Sequence, residues 1–152
     1  MHVCINETVH GFKITEDNIP WDKFPADLCV VGDMSSCIGT EKINWNRFSV
    51  VYAGAQKNLG PVGCTIIIVK SSLLGKAEPD VPVMCDWKLF EDSPGTYYNT
   101  PPCWCIYVTG LNTSFLNQTG GIAHYDKLCD ERSALLYTVL DESNGFYKND
   151  TA

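Results

Sequence analysis

The sequence predicts an α/β fold with a mainly parallel sheet flanked by helices. Short apolar runs rich in β-branched residues are separated by loops and helical patterns, which is typical of strands buried in such a sheet. Two consecutive runs end close to the polar residues Asp33 and Lys57. Because ligands of open α/β sheets bind outside the carboxyl ends of the strands, these two residues indicate a binding site at one end of the sheet.

Four apolar runs predict the strands. They are Met1–Ile5, Leu28–Gly32, the run around Val50 and Val51, and Cys64–Val69. Between the first two runs lie a short extended piece at Val9–Ile14 and a polar loop with prolines. Since neighbouring parallel strands lie about 4.8 Å apart, we expect Asp33 and Lys57 to face one ligand from two sides.

The second half of the chain predicts helices. Ser71–Gly75 is expected to form one helical turn, and Glu78–Gly95 a loop. Thr100 before Pro101 has the form of an N-cap followed by proline at the first helical position. A longer amphipathic pattern begins at Ile122 and is expected to end near Gly145. That helix would be about 30 Å long, a length that normally lies across a domain or between two domains.

Composition narrows the function classes. The chain has 152 residues, a net charge of -7 and no cluster of lysine and arginine, which argues against nucleic acid as a partner. No apolar run approaches the roughly 18 residues of a membrane span, and the first residues lack the pattern of a signal peptide. We therefore expect no membrane association.

The cysteines leave two interpretations open. Eight cysteines and four Asn-x-Ser/Thr acceptors would suit a secreted, disulfide-linked glycoprotein. Cys4, Cys29 and Cys64 instead lie in apolar strand-like runs, where reduced cysteine packs as a small hydrophobe. Cys103 and Cys105 have no partner pair at the spacing of a zinc site. We predict no metal and a cytoplasmic protein, or an organellar one if a targeting segment lies upstream.

Lys57 has an unusual sequence context. The small residues Ala53, Gly54 and Ala55 end the preceding strand and would let a bulky group approach the backbone. Apolar neighbours would favour the free amine that a Schiff base needs. The alternative is a surface lysine without a chemical role, since lysine is mostly exposed.

Several short motifs follow one another along the chain. They are Asn6–Gly11, Asp33–Ser36, Tyr52–Asn58, Leu73–Gly75, Tyr98–Pro102, Gly110–Leu111 and Asp141–Tyr147. Together they resemble the phosphoserine aminotransferase family, which are pyridoxal-phosphate enzymes of the class V aminotransferases with fold type I. The resemblance implies an incomplete large domain. Residues 1–117 would be the central part of the cofactor-binding domain, and residues 118–152 a long helix leading toward an absent C-terminal small domain.

The resemblance assigns cofactor contacts to residues of these motifs. Lys57 would hold pyridoxal phosphate covalently and move the substrate's proton, and Asp33 would pair with the protonated ring nitrogen. Thr8 would hydrogen-bond the phenolic oxygen of the ring, and Gln56 would contact the phosphate. Without the resemblance, Asp33 would be taken as the cap of a strand end and Thr8 as an ordinary turn residue.

Asn99 and Thr100 would reach the phosphate of the cofactor in a neighbouring subunit. The resemblance therefore implies a homodimer whose two cofactor sites are shared between subunits. Thr100 could serve both as the N-cap and as a phosphate ligand, because helix N-termini bind phosphate.

The reaction implied by the resemblance moves an amino group between glutamate and 3-phosphohydroxypyruvate, giving 2-oxoglutarate and O-phosphoserine in serine biosynthesis. Arg47 and Arg132 are the only arginines, and neither matches a substrate position of the family. We therefore expect the substrate-binding residues to lie outside this chain and the isolated chain not to turn over. The alternatives are another class V aminotransferase and a non-catalytic fragment that acts as a dimerisation or interaction module.

Overall fold

In a computed structural model of the chain, the structure describes residues 1–15, 18–93 and 97–148. These residues form a four-stranded sheet, a two-stranded hairpin and three α-helices. The strands are β1 (His2–Cys4), β2 (Asn6–Glu7), β3 (Phe12–Lys13), β4 (Val31–Asp33), β5 (Val50–Gly54) and β6 (Thr65–Val69). The helices are α1 (Lys88–Glu91), α2 (Cys103–Gln118) and α3 (Gly121–Asp141).

The four-stranded sheet has the order β1-β4-β5-β6. β4 runs parallel to both β1 and β5, whereas β6 runs antiparallel to β5. The predicted α/β class with a mainly parallel sheet is confirmed. Asp33 pairs with Cys4 of β1 on one side and with Tyr52 of β5 on the other. Three parallel strands therefore end side by side, and the predicted adjacency of the strands that lead to Asp33 and Lys57 is confirmed.

The hydrophobic core packs against one face of this sheet. Side chains alternate along β5, so Val51 and Ala53 belong to the same face, and both are buried together with Ala55. They pack with Met34 and with other apolar residues. These are Ile5, Val30, Cys37, Ile38, Phe48 and Leu59. Both alanines are 0 % exposed, so the space beside them is filled by the core. Ala53 and Ala55 thus serve core packing, whereas Gly54 between them is only half-buried.

Helix α2 begins later than the sequence predicts. The expected N-cap at Thr100 is wrong, because α2 starts at Cys103 after Pro102, and no side chain caps its first turn. The physical reason is the Pro101-Pro102 pair. A residue before proline is disfavoured in the α conformation, so Pro101 cannot be the first helical residue that an N-cap at Thr100 would require.

Part of the predicted loop at Glu78–Gly95 is helical. The 3-10 turn Val83–Cys85 and the four-residue helix α1 lie within it. The Lys88 ammonium group lies 2.7 Å from the carboxylates of Glu91 and Asp92, which holds this single turn together. The end of the predicted loop, residues 94–95, falls outside the described residues. The predicted helical turn after β6 is confirmed as a 3-10 turn at Ser71–Leu73.

Helix α3 confirms the predicted long helix but not the expected end. Gly120 and Gly121 adopt φ values of 111° and 63°, and this left-handed pair reverses the chain between α2 and α3. The helix ends at Asp141, short of the expected Gly145. None of its described residues is fully buried, and Tyr125, Leu128 and Leu140 are half-buried, so the described part of this chain covers its apolar side chains only in part. No helix of the described residues combines the length and the apolar character needed to cross a membrane.

Candidate active site

An open cleft of about 290 Å³ lies at the carboxyl ends of the parallel strands. It contains four of the predicted site residues, Thr8, Asp33, Gln56 and Lys57. The other residues that line it are Cys4, Asn6, Glu7, Ser35, Ser36 and Asn58. Residues far apart in the sequence thus come together where the fold class places a ligand.

Asp33 is the last residue of β4, and its carboxylate is held by hydrogen bonds. Oδ1 accepts the backbone N–H of Ser35 at 2.9 Å. The Ser35 and Tyr52 hydroxyls are within reach of this carboxylate as further hydrogen-bond donors. Burial by itself would raise the pKa of Asp33, but the bonds from Ser35 and Tyr52, with the nearby charge of His2, outweigh burial and hold the pKa below its usual value. Asp33 therefore presents a fixed negative charge to the cleft.

Lys57 and Gln56 project from a tight turn after β5. The backbone N–H groups of Leu59 and Gly60 both donate to the carbonyl of Ala55, at 3.2 Å and 2.9 Å. The side chains of Gln56 and Lys57 are exposed on this turn. Their surroundings in the cleft are mostly polar, so the apolar environment expected around the lysine is not observed. The amine is accessible to a ligand that enters from solvent.

Helix α2 and the loop after β4 anchor the lysine turn through Asn58. The Asn58 amide group donates to the carbonyl of Ser36 at 3.0 Å, and the Asn112 amide group of α2 donates to the carbonyl of Asn58 at 2.9 Å. Gly60 allows close packing here, because a Cβ atom at this position would lie 2.5 Å from Thr109 Oγ1. The backbone beside Lys57 is therefore fixed from two sides.

Thr8 reaches the cleft from the turn that joins β2 and β3. The Glu7 carboxylate accepts the backbone N–H groups of Val9 and His10, each at 2.7 Å, and so closes this turn. Those two bonds lower the pKa of Glu7, the bond from His10 most strongly. The turn conformation expected of Thr8 is observed, and the same turn directs it toward the cleft.

Asn99 and Thr100 are not among the residues that line the cleft. Both are exposed and lie just before α2. This chain by itself therefore does not bring them to its own Lys57.

The two arginines also lie elsewhere. The Arg47 guanidinium group lies 5.5 Å from the centre of the Trp21 ring, and Arg132 is exposed on α3. Among the described residues, no group of three His, Cys, Asp or Glu side chains could hold a metal ion. The residues that line the cleft supply an amine, two carboxylates, hydroxyls, amides and one thiol.

Sequence reasoning missed Ser35, Tyr52 and His2 around Asp33. Ser35 stands in the Asp33–Ser36 motif, two residues after the carboxylate, which is the spacing of a side chain that accepts a backbone N–H. Tyr52 and His2 give no comparable local signal, because they meet Asp33 only through the register of β1, β4 and β5.

The sheet, the cleft at its end and the lysine in that cleft are the features to compare with known protein families. The model of the aminotransferase class-V family matches residues 1–152, and the chain belongs to this family.

Solved structures of phosphoserine aminotransferases are similar to the chain. One, described for radiation damage of its Schiff base, is 35% identical over 97% of this chain, with a TM-score of 0.82. The enzyme from Bacillus circulans subsp. alkalophilus is 33% identical over 97% of this chain, also with a TM-score of 0.82. The pyridoxal-phosphate-bound enzyme from Trichomonas vaginalis is 27% identical over 93%, with a TM-score of 0.78. The chain spans 38% to 39% of the length of these proteins.

Proposed function

We propose that this chain forms the cofactor-binding centre of a pyridoxal-phosphate-dependent aminotransferase. The observation that carries the proposal is the meeting of Lys57, Asp33, Thr8 and Gln56 in one cleft at the carboxyl ends of the strands. An amine, an ionised carboxylate, a hydroxyl and an amide are the donor set that an aldehyde-bearing pyridine with a phenolic oxygen and a phosphate requires. The residues present therefore fit this cofactor.

Pyridoxal phosphate, when bound, supplies an aldehyde that takes up amino groups and a ring that accepts electrons. Lys57 supplies the amine that attaches to this aldehyde. With an amino substrate bound in its place, the Lys57 amine would act as the general base that accepts the proton of the substrate's Cα and as the general acid that gives it back. The exposure of Lys57 on a fixed turn suits both tasks, because the amine is free to move while its backbone is held.

Asp33 keeps the ring nitrogen protonated in this proposal. The donors from Ser35 and Tyr52 keep its carboxylate ionised, so it can accept the N–H of the ring. Thr8 binds the phenolic oxygen, and the exposed amide of Gln56 binds the phosphate. Each of these residues reaches the cleft from a different element, so the ring is held from several sides.

A second copy of the chain is expected to complete the phosphate site. Asn99 and Thr100 are exposed and lie outside the cleft of their own chain, as residues that serve a neighbouring subunit would. The Pro101-Pro102 pair after them keeps this segment extended ahead of α2. We propose a homodimer in which these two residues contact the partner's cofactor.

We propose the transfer of an amino group from glutamate to 3-phosphohydroxypyruvate as the reaction of the whole protein. The proposal is supported by the similarity of the chain to phosphoserine aminotransferases at 33% to 35% identity. Both arginines lie outside the cleft, and we propose that groups beyond this chain bind the substrate's carboxylate and phosphate. Cys37, buried in the core as a free thiol, suits a reducing compartment, and we propose a cytoplasmic or organellar location.

A hybrid enzyme tests the proposed function. Residues 1–152 replace the matching segment of the Bacillus circulans phosphoserine aminotransferase, and exchange of amino groups between phosphoserine and glutamate is measured. We expect an active hybrid, loss of activity in Lys57→Ala and retained activity in Lys70→Ala, which removes an exposed lysine after β6. A folded hybrid that carries the cofactor but does not exchange amino groups would contradict the proposed reaction.

Exposed apolar side chains favour an interaction module as the second candidate. Trp104 of α2 is 70% exposed, and Leu135 of α3 is 71% exposed. Exposed apolar side chains mark an interaction surface where they form a contiguous patch. A chain that assembles through α2 and α3 but does not bind pyridoxal phosphate would support this candidate against the enzyme.

A further inference from the structure

Three neighbouring side chains, His2, Tyr52 and Asp33, lead from the surface of the protein to the cleft. His2 Nε2 lies 2.9 Å from the Tyr52 hydroxyl, and the two rings are stacked, with their centres 5.8 Å apart and a 20° angle between their planes. Tyr52 is the register partner of Asp33 on the neighbouring strand, which puts its hydroxyl within reach of the Asp33 carboxylate as a hydrogen-bond donor. The strand register explains why Tyr52 lies beside Asp33, because β4 lies between β1 and β5 and pairs Asp33 directly with Tyr52.

The direction of these hydrogen bonds follows from the chemistry of Asp33. An ionised carboxylate only accepts hydrogen bonds, so the Tyr52 O–H must donate to Asp33. Its single proton is then used, and the Tyr52 oxygen must accept the bond from His2, which places a proton on His2 Nε2. Burial raises the pKa of the Tyr52 phenol, and the Asp33 carboxylate raises it further. Both effects keep Tyr52 protonated, so it remains a donor.

Ser35 provides a second donor chain to the same carboxylate. The Gly54 backbone N–H donates to Ser35 Oγ at 3.1 Å, so the Ser35 hydroxyl keeps its own proton for Asp33. Tyr52 and Gly54 both belong to β5, the strand that leads to Lys57. One strand therefore orients the carboxylate and positions the lysine.

We propose that Tyr52, supported by His2, is a positioning residue that holds the Asp33 carboxylate toward the ring nitrogen of the cofactor and keeps the shared proton on that nitrogen. The inference deepens the proposed function and rests on it. A carboxylate that accepts several hydrogen bonds has a reduced affinity for a proton. With Tyr52 in place, the proton between Asp33 and the ring therefore stays on the ring; without Tyr52, the carboxylate competes for it.

Other titratable groups also lie near Asp33, and a test of Tyr52 must leave them unchanged. Cys4 pairs with Asp33 on β1, and burial together with the charge of Asp33 raises the pKa of its thiol, so it is neutral. Glu7 and Lys57 face Asp33 across the cleft. Tyr52→Phe removes the donor without altering any of these groups.

The first test follows Asp33 in the cofactor-free chain. The pKa of its carboxyl is measured by carbon-13 NMR in the wild type, Tyr52→Phe and Tyr107→Phe, the last altering an exposed tyrosine of α2. We expect Tyr52→Phe to raise the pKa of Asp33 by about one pH unit, since one hydrogen bond to a charged group is lost. Tyr107→Phe is expected to leave it unchanged. An unchanged pKa in a folded Tyr52→Phe chain would overturn the proposal.

His2 is tested with a pair of variants. His2→Leu removes the donor to Tyr52, whereas His2→Gln keeps an N–H group that can reach the Tyr52 oxygen. We expect His2→Leu to raise the pKa of Asp33, by less than Tyr52→Phe does. His2→Gln keeps an N–H donor but not the charge of His2, so it should restore only part of the wild-type value. Equal effects of the two variants would contradict the supporting role of His2.

The second test uses pyridoxal phosphate with a nitrogen-15 label in its ring. In the loaded wild-type chain we expect the resonance of a protonated ring nitrogen at pH 7, and in Tyr52→Phe a shift toward the unprotonated value. Binding is followed separately, by the absorbance of the bound cofactor and its loss in Lys57→Ala. Failure of the wild type to bind at Lys57 would overturn the proposed function. Normal binding with an unshifted resonance in Tyr52→Phe would overturn the positioning role alone.

Discussion

The sheet end and the helical end of this chain differ in how completely they are packed. Around the cleft, Ser35 accepts a hydrogen bond from Gly54 of β5, and Asn58 accepts one from Asn112 of α2. The Asp33 carboxylate accepts the backbone N–H of Ser35, and the core beneath these residues is buried. Along α3 none of the described residues is buried, and Leu135 is mostly exposed. The cleft end is therefore held by interactions within this chain, whereas the described residues cover α3 only in part.

The difference indicates how the stability of the chain is distributed. Residues of the cleft are tied to the core through β4, β5 and α2, so changes there are expected to alter both folding and ligand binding. Changes on α3 are expected to leave the isolated chain almost unaffected. The predictions below test this contrast in order of decreasing effect.

Core truncation provides the largest expected effect. Met34, which follows Asp33, is 1% exposed. Met34→Ala is expected to lower the free energy of unfolding by about 2–5 kcal/mol, through lost burial and a cavity. Leu135→Ala on α3 is expected to change it by less than about 0.5 kcal/mol. Urea unfolding followed by circular dichroism measures both. Comparable losses in the two variants would show that the helical end is packed after all.

Gly60 tests the contact between the lysine turn and α2. A Cβ atom there would lie 2.5 Å from Thr109 Oγ1 and 3.2 Å from Thr109 Cα. Gly60→Ala is expected to destabilise the chain by about 1–3 kcal/mol through overpacking. Gly110→Ala is the control, because a Cβ atom at that position of α2 has open space, and it should stabilise the helix by up to about 1 kcal/mol. Thermal unfolding distinguishes the two, and equal melting temperatures would refute the close packing.

Asn112 tests the hydrogen bond that ties α2 to the lysine turn. Asn112→Ala removes the donor to the Asn58 carbonyl and is expected to cost about 1 kcal/mol of stability. We also expect weaker binding of pyridoxal phosphate, because the backbone beside Lys57 is less well fixed. Asn117→Ala, at an exposed position of the same helix, should change neither property. Cofactor titration by absorbance checks this, and identical titrations of the two variants would exclude the anchoring role.

The smallest expected effect is a change in the acid dependence of stability. The pKa of Asp33 lies below its usual value of 3.8 in the folded chain. The ionised carboxylate therefore contributes stability above pH 3.8, and this contribution is lost as the pH falls through the lower folded value. Asp33→Asn should remove that part of the dependence, whereas Asp80→Asn, in an exposed loop, should retain it. Urea unfolding at several pH values between about 2 and 5 measures the difference.

Much of the sheet and of the cleft could be predicted from the sequence. Continuous apolar runs identify β1, β4, β5 and β6, and the parallel strands that end near Asp33 and Lys57 place these residues together. The resemblance of the motifs around Thr8 and Gln56 to a known family identified the other two predicted residues of the cleft. Local patterns sufficed here because each of these residues directly follows a strand or stands in a turn.

What could not be predicted depends on contacts between elements. The roles of Tyr52 and His2 require the strand register, and the polar surroundings of Lys57 depend on which loops meet beyond the sheet. The predicted start of α2 was wrong, because the N-cap pattern at Thr100 was given more weight than the second proline, Pro102. The burial expected along α3 cannot be judged from its amphipathic pattern alone, since the pattern does not say what covers the helix.

Covalent capture of the cofactor tests the central claim most directly. The purified chain is mixed with pyridoxal phosphate, reduced with borohydride, digested and mapped by mass spectrometry, beside Lys57→Ala and Lys70→Ala. We predict one labelled peptide, carrying the cofactor on Lys57, that is absent in Lys57→Ala and unchanged in Lys70→Ala. Label spread over several exposed lysines, or equal label in Lys57→Ala, would contradict a cofactor site assembled by this chain.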